Sequence, residues 1–376
     1  MKAMMWSAAA LIGSLGTAMT VVATKVPVDA EANALQVAQV GRMSSERAAH
    51  QATLLASGQV LITGGCDGQC DSALASVERY DPATRSFQGV ASMATPRNSH
   101  VAIALPDGRV LVAGGWANRA VTANAEIFDP ATQRFTQAGA LNQPRAASTA
   151  TRLPDGRILI TGGLTTRLDP LASVEIFDPA ASSFSTARAM QTARVGHAAV
   201  ALADGRVLII GGRQVRRGET LRSAEIFDPT TGVFRSTGQM SFPRHKHAAV
   251  RLADGRVLVI GGSDARDQRG RYKSTEIYDP ATGEFSSGPD MRWPRFKLPD
   301  AVVVLPSGAV LVAGGAAQLE FYDPVGRAFV PVNGKLSGSR EFATASLLPS
   351  GDILVLGGYD EQIQTSASAW LVRVSR

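Results

Sequence analysis

The chain reads as an all-β protein, a seven-bladed β-propeller, and three observations carry that reading. The first is a Gly-Gly pair that recurs at Gly64-Gly65, Gly114-Gly115, Gly162-Gly163, Gly211-Gly212, Gly261-Gly262, Gly314-Gly315 and Gly357-Gly358. The steps between pairs are 50, 48, 49, 50, 53 and 43 residues, a period that suits one four-stranded blade per copy. The second is the pattern around each pair: an apolar run before it and, after a variable stretch, a third strand that in the first six copies ends in an Asp-Pro turn. The third is the last copy, which stops after its third strand.

The fourth copy shows why each element forms. Residues 197–202 are small, as an inner strand crowded at a propeller axis requires. Asp204-Gly205 then offers the positive φ of a two-residue hairpin. Residues 206–210 form a second strand, apolar throughout its core because both faces of the sheet are covered. The glycine pair permits a backbone approach that a Cβ would block. Residues 224–228 make the third strand, ended by Pro229, and Phe234 starts the outer strand, where Phe87, Phe135, Phe184, Phe285 and Phe329 stand in other copies. The seventh copy has residues 369–374 as a third strand and no fourth. Residues 35–41, with Val37 in the register of the outer-strand aromatics, are predicted to supply it and close the ring.

A glycine pair on this period resembles the kelch repeat, and the resemblance covers nearly all of the chain after residue 40. It implies a kelch-type propeller of the superfamily that includes galactose oxidase, and it implies no single activity, since such propellers include enzymes, adaptors and scaffolds.

Residues 1–32 read as a secretory signal, Lys2 before an uncharged run from Ala3 to Ala23, with an uncleaved anchor as the alternative. Residues 33–376 are then one propeller in the periplasm or outside the cell, expected as a monomer and in contact with a membrane only if the leader is retained. The 45% hydrophobic content excludes a disordered chain. Cys66 and Cys70, the two cysteines present, are expected to pair as a loop-closing disulfide after export.

The formal charge is +6, with 32 arginines against 6 lysines. An arginine recurs in register in every loop that enters a blade: Arg47, Arg97, Arg145, Arg194, Arg244, Arg295 and Arg340. Seven guanidiniums near a funnel mouth would focus positive potential there. Arg119, Arg167, Arg216, Arg217, Arg266, Arg269 and Arg271 on the variable loops would widen it. Kelch adaptors use comparable arginines to grip acidic peptides, so the resemblance makes these seven, with Trp116 and Trp293, candidate contacts for an anionic glycan, peptide or protein partner. The alternative is structural: Glu78, Glu126, Glu175, Glu225, Glu276 and Glu320 recur near the start of each third strand and would pair with six of the seven.

Four histidines follow the arginine by three residues, His50, His100, His197 and His247, and are expected to pack or hydrogen-bond at the top of the inner strand. No catalytic triad, Walker loop or metal motif is present, and no cofactor, metal or nucleic-acid role is expected. The reading is an exported binding protein. Two alternatives stand beside it: a structural envelope scaffold, and a carbohydrate-active isomerase resembling exported sialic-acid mutarotases, with Glu219 as acid/base candidate. Copper chemistry of the galactose oxidase type is disfavoured, because both cysteines share one loop and Tyr80, Tyr278 and Tyr322 belong to the Tyr-Asp-Pro turns.

Overall fold

Seven antiparallel four-stranded sheets follow one another around an axis, each built from consecutive strands a to d except the last. The computed structural model describes residues 35–70, 72–214 and 218–374. The expected leader, residues 1–32, and Arg216 and Arg217 lie outside the described residues.

Blade 4 is representative. Its strands are Ala198–Ala201, Val207–Ile210, Ala224–Asp228 and Val233–Ser236. Every residue of strand b is buried, as an apolar run between two neighbouring sheets must be. The core lies between blades. Leu153, Leu159 and Val174 of blade 3 pack against Val207, Ile209 and Phe227 of blade 4, with Met190 from the connecting loop. Within each of blades 1 to 6 an aromatic of strand c stacks at a tilt on the phenylalanine opening strand d, at 4.8–5.3 Å between ring centres.

The ring closes as the sequence predicts. Leu35–Arg42 runs antiparallel to Ser368–Val374, so blade 7 has the order closing strand, c, b, a. Leu35 is fully buried in a cluster shared with blade 6, through Leu319 and Val332. Covering the edge of strand c this way leaves no open ladder where the chain's two ends meet.

The glycine pair is the joint between blades. The second glycine of each pair donates its N–H to the carbonyl oxygen of the next blade's repeated arginine, from Gly65 to Arg97 through to Gly358 and Arg47, at 2.8–3.0 Å. The first glycine makes room for that backbone. A Cβ on Gly211, whose φ is +61°, would stand 2.5 Å from the Arg244 oxygen and 2.9 Å from the His247 ring. Both the conformation and the close approach require glycine there.

Candidate functional site

The seven arginines enter the structure as staples within each blade. Arg47, Arg97, Arg145, Arg194, Arg244 and Arg295 have no solvent exposure. They meet Glu78, Glu126, Glu175, Glu225, Glu276 and Glu320 at 2.7–2.9 Å. Each guanidinium also donates to the carbonyl of its own blade's first glycine, as Arg194 does to Gly211 at 2.8 Å. The carboxylate in turn accepts backbone N–H groups of the incoming loop; Glu225 takes those of Gln191 at 2.7 Å and Thr192 at 3.1 Å. Burial lowers the arginine pKa in each case, and the paired glutamate opposes that shift. These six are therefore corrected from candidate ligand contacts to buried staples, because they are fully buried with their terminal NH groups bonded to protein, although among the described residues the Nε of Arg47, Arg97, Arg145, Arg194 and Arg244 finds no partner. Arg340 has no glutamate at the corresponding place. It bonds Ser337 at 2.9 Å, lies over the Trp370 ring and is 8% exposed, so it too faces the protein.

The histidines lock neighbouring blades. His50 reaches Thr344 of blade 7, His100 reaches Thr63 of blade 1, and His197 reaches Thr149 and Thr161 of blade 3, all at 2.9–3.1 Å. At His247 the matching residue of blade 4 is Ile210, which has no hydroxyl. Among the described residues neither ring nitrogen of His247 has a hydrogen-bond partner. Burial, and then the adjacent arginine, drives the pKa of His50 and of His197 down to about 3 and those of His100 and His247 well below the usual value. The folded chain holds these rings neutral, whereas the unfolded chain protonates them near pH 6.5. Stability is thus present above pH 6.5 and is lost as pH falls from there towards 3, by up to about 1.4 kcal/mol per pH unit for each ring. We expect the melting midpoint to drop steeply below pH 6, and His197→Gln to flatten that slope in melts taken between pH 4 and 7.

Inside the ring of staples lies a second, inner ring. The residue two places after each arginine, Ala49, Ser99, Ala147, Gly196, Lys246, Lys297 and Phe342, has φ between +50° and +64°. This bend turns its N–H along the circumference. Ala49 donates to Phe342, Ser99 to Ala49, Ala147 to Ser99, Lys246 to Gly196, Lys297 to Lys246 and Phe342 to Lys297, at 2.7–3.2 Å. The result is a backbone collar around the axis with six of its seven links made, the step between Ala147 and Gly196 having no such bond among the described residues. A cavity of about 580 Å³ lies along the axis at the collar, lined by collar residues, by the small inner strands and by Gln51, Trp116, Arg213, His245 and Asp300. That volume suits a small organic ligand.

Seven equivalent positions make departures from the repeat easy to see, and they fall on one side. Blades 1, 2 and 3 offer Ala, Ser and Ala to the collar. Blades 5, 6 and 7 offer Lys246, Lys297 and Phe342, and blade 4 adds Arg213 just after its glycine pair. Lys297 is clamped by Glu341 at 2.8 Å and lies over the rings of Tyr359, Phe296 and Phe342. Burial pulls its pKa down, but Tyr359 and Glu341 outweigh that and hold it above the usual lysine value. Arg213 bonds Asp267 and the Asp264 carbonyl of blade 5, both at 3.2 Å. His245 sits 3.3 Å from Asp267 and is kept neutral, its pKa pushed to about 2 by burial and then by Lys246 and Arg213. The Lys246 ammonium is set between Phe296 and Phe342, at 5.4 and 5.7 Å from their ring centres. Burial first, then Lys297, lowers its pKa to about 8. Asp300 lines the cavity as an exposed side chain, with Gln51 bonded to it at 3.1 Å.

Of the other sequence candidates, Trp116 lines the cavity and Trp293 does not. Glu219 is exposed and is not among the residues lining the cavity. Cys66 and Cys70 form a disulfide across their loop. Arg266 pairs with Asp264 and Arg271 approaches Glu361, which spends part of the loops' positive charge. Lys246, Lys297 and Phe342 were missed, because the sequence singles out the arginine and the histidine on either side of the collar position. Their signal was register: arginine plus two.

A ring of blades joined by glycine pairs and stapled by arginine–glutamate pairs defines a repeat propeller. The chain matches the Kelch motif at residues 49–94, 97–142, 194–241 and 244–292, about half its length, and belongs to that family. The four matched segments are the four blades that carry the inner-strand histidine. No curated protein matches the chain in sequence. Among solved structures it is similar to a fungal alcohol oxidase of the AA5 family, determined in complex with copper. The TM-score is 0.69 at 15% identity, over 90% of this chain and 76% of that one. At that identity the likeness is one of fold. The residues here do not fit a copper centre. The two cysteines are joined to each other, Tyr80, Tyr278 and Tyr322 are packed on Phe87, Phe285 and Phe329, and three of the inner-strand histidines are bonded to threonines of neighbouring blades. Among the described residues no group of three His, Cys, Asp or Glu side chains comes together as metal ligands.

Proposed function

We propose that the chain is a binding protein whose ligand is a small anionic molecule held in the axial cavity at the collar, on the side of blades 4 to 7. One observation carries this: the repeat is broken by cationic and aromatic side chains at contiguous blades, around a cavity of about 580 Å³. Each neighbouring cation has its own acid, Glu341 for Lys297 and Asp267 for Arg213, whereas Lys246 has aromatic faces. An anion entering the cavity would supply the missing counter-charge in a partly dry site, where an ion pair is worth more than in water. An acidic sugar or the carboxylate of an acidic peptide side chain fits this chemistry.

Lys246→Met tests the reading. Its pKa falls from the usual 10.5 to about 8 in the folded chain, so the folded state binds its proton more weakly than the unfolded state. Below pH 8 the buried charge is a fixed penalty, relieved as pH rises from 8 to 10.5. The variant is expected to melt at or above the wild-type temperature at pH 7, and to lose the stabilisation that acidic monosaccharides and small carboxylates give the wild type. A variant still stabilised by those anions to the wild-type extent overturns the reading.

We also propose that the protein works outside the cytosol. The uncharged run from Ala3 to Ala23 behind Lys2 and the Cys66–Cys70 disulfide support this. Cell fractionation with N-terminal sequencing tests it, and a full-length chain in the cytosol overturns it.

A further inference from the structure

We propose that Lys246 is an attachment point for a small oxo acid, holding its aldehyde or ketone carbon as an imine in the axial cavity. This deepens the anion-binding reading and rests on it. Four features of the site support it.

Lys246 lies on the wall of a cavity large enough for such a ligand, with no carboxylate among the described residues forming an ion pair with it. Its backbone is fixed at both sides of the collar, its N–H bonded to Gly196 and its carbonyl to Lys297, at 2.7 and 3.0 Å. The amine therefore starts from a rigid origin. Its aromatic neighbours, Phe296 and Phe342, exclude water without offering the negative charge that would hold an ammonium. The charged groups around it are themselves pinned. Lys297 cannot swing away from Glu341, and Arg213 is held by Asp267, so the two cations repel an ammonium at Lys246 while Asp267 and Glu341 only partly offset them. A lysine placed in an apolar pocket beside other cations keeps a reactive neutral fraction. Its depressed pKa, about 8, agrees with that geometry.

Arg213, which lines the same cavity and whose pairing to Asp267 is long at 3.2 Å, gives the ligand's carboxylate a place to rest, which sets the carbonyl carbon near the amine. The Nζ lone pair attacks that carbon, the C–N bond forms and a carbinolamine results. The C–O bond then breaks and the oxygen leaves as water with the two amine protons, giving the imine. No oxidant or reductant is consumed. Asp300 lines the same cavity and is a carboxyl group available there to carry a proton to the departing oxygen. Lys297 is a poor rival for the carbonyl, since its pKa is raised and its ammonium is engaged by Glu341.

The test is reductive trapping on the intact wild-type protein. Glyoxylate is added at pH 8 with cyanoborohydride, and the occupancy of Lys246, Lys273, Lys297 and Lys335 is read by peptide mass spectrometry. Glycolate, which has the carboxylate but no carbonyl, serves as competitor. The expected result is labelling at Lys246 exceeding that at Lys273 and Lys335 by roughly ten-fold or more, suppressed by excess glycolate. Labelling spread evenly over the lysines overturns the proposal. If glycolate raises the melting midpoint and Lys246 is not labelled, the imine fails and anion binding stands. If neither acid stabilises the protein and Lys246 is not labelled, both fail. Lys246→Arg, which keeps the cation but has no amine to form an imine, is expected to trap nothing at that position; trapping at the wild-type level in that variant also overturns the imine.

Discussion

Arg194→Ala is expected to cost about 3–5 kcal/mol of folding stability, the range for breaking a buried ion pair by removing one partner. Arg194 is wholly buried, with Glu225 at 2.7 Å, the Gly211 carbonyl at 2.8 Å and the Ser223 carbonyl at 3.2 Å. Removing it leaves Glu225 a buried charge with only two backbone N–H donors, and leaves the Gly211 carbonyl without this partner. A domain's whole stability is of order 5–15 kcal/mol, so the loss is large. Two companion results make the prediction specific. Arg194→Met combined with Glu225→Gln should recover part of the loss, because no uncompensated charge remains. Arg340→Ala should cost clearly less, since Arg340 has Ser337 and the Trp370 face in place of a glutamate. Urea denaturation at pH 7 measures all three. Equal losses at Arg194 and Arg340 would show that the glutamate partner is not what makes the staple.

Deleting residues 35–42 is expected to have the largest effect of all. The strand pairs with Ser368–Val374 over seven residue pairs, and Leu35 fills part of the core between blades 6 and 7. Without it, strand c of blade 7 becomes an open edge and the apolar surface under the strand is exposed. The ring is then held at that point by the packing of blade 7 on blade 1, through Leu354, Leu356 and Leu371 against Val60 and Ile62, and by the Gly358–Arg47 and His50–Thr344 hydrogen bonds. We expect the melting midpoint to fall further than for any single arginine variant, and the free edge to drive association visible by size-exclusion chromatography. An unchanged midpoint would mean that the ring does not depend on this closure.

The scaffold was legible because its rules are written once per repeat. Glycine pairs, Asp-Gly turns and the outer-strand phenylalanines recur at fixed spacing, and the incomplete seventh copy announced the closing strand. The sequence also placed Arg194 and Glu225 in register, but register alone leaves two roles open for them. Burial decides, and burial is a property of the assembled ring. The histidines were placed correctly at the top of the inner strand, yet their partners Thr344, Thr63 and Thr161 belong to the preceding blade, a contact that repeat spacing does not reveal. The collar was hidden for a different reason. Alanine, serine, lysine and phenylalanine carry no local mark of positive φ, so a ring of left-handed residues cannot be read from them. Lys246, between two histidines, and Lys297, beside Phe296, look like ordinary surface lysines until the ring sets Lys246 on the cavity wall and Lys297 on Glu341 and Tyr359.

The central claim is that the repeated arginines build the scaffold while the residues that depart from the repeat make the site. The most direct test measures two quantities in two variants: the unliganded melting midpoint and its shift on adding a small carboxylate such as glycolate. The account predicts that Arg194→Ala lowers the midpoint and keeps the shift, whereas Lys246→Met keeps or raises the midpoint and loses the shift. The reverse pattern, an Arg194 variant of wild-type stability that no longer responds to the anion beside a Lys246 variant that still does, would contradict it.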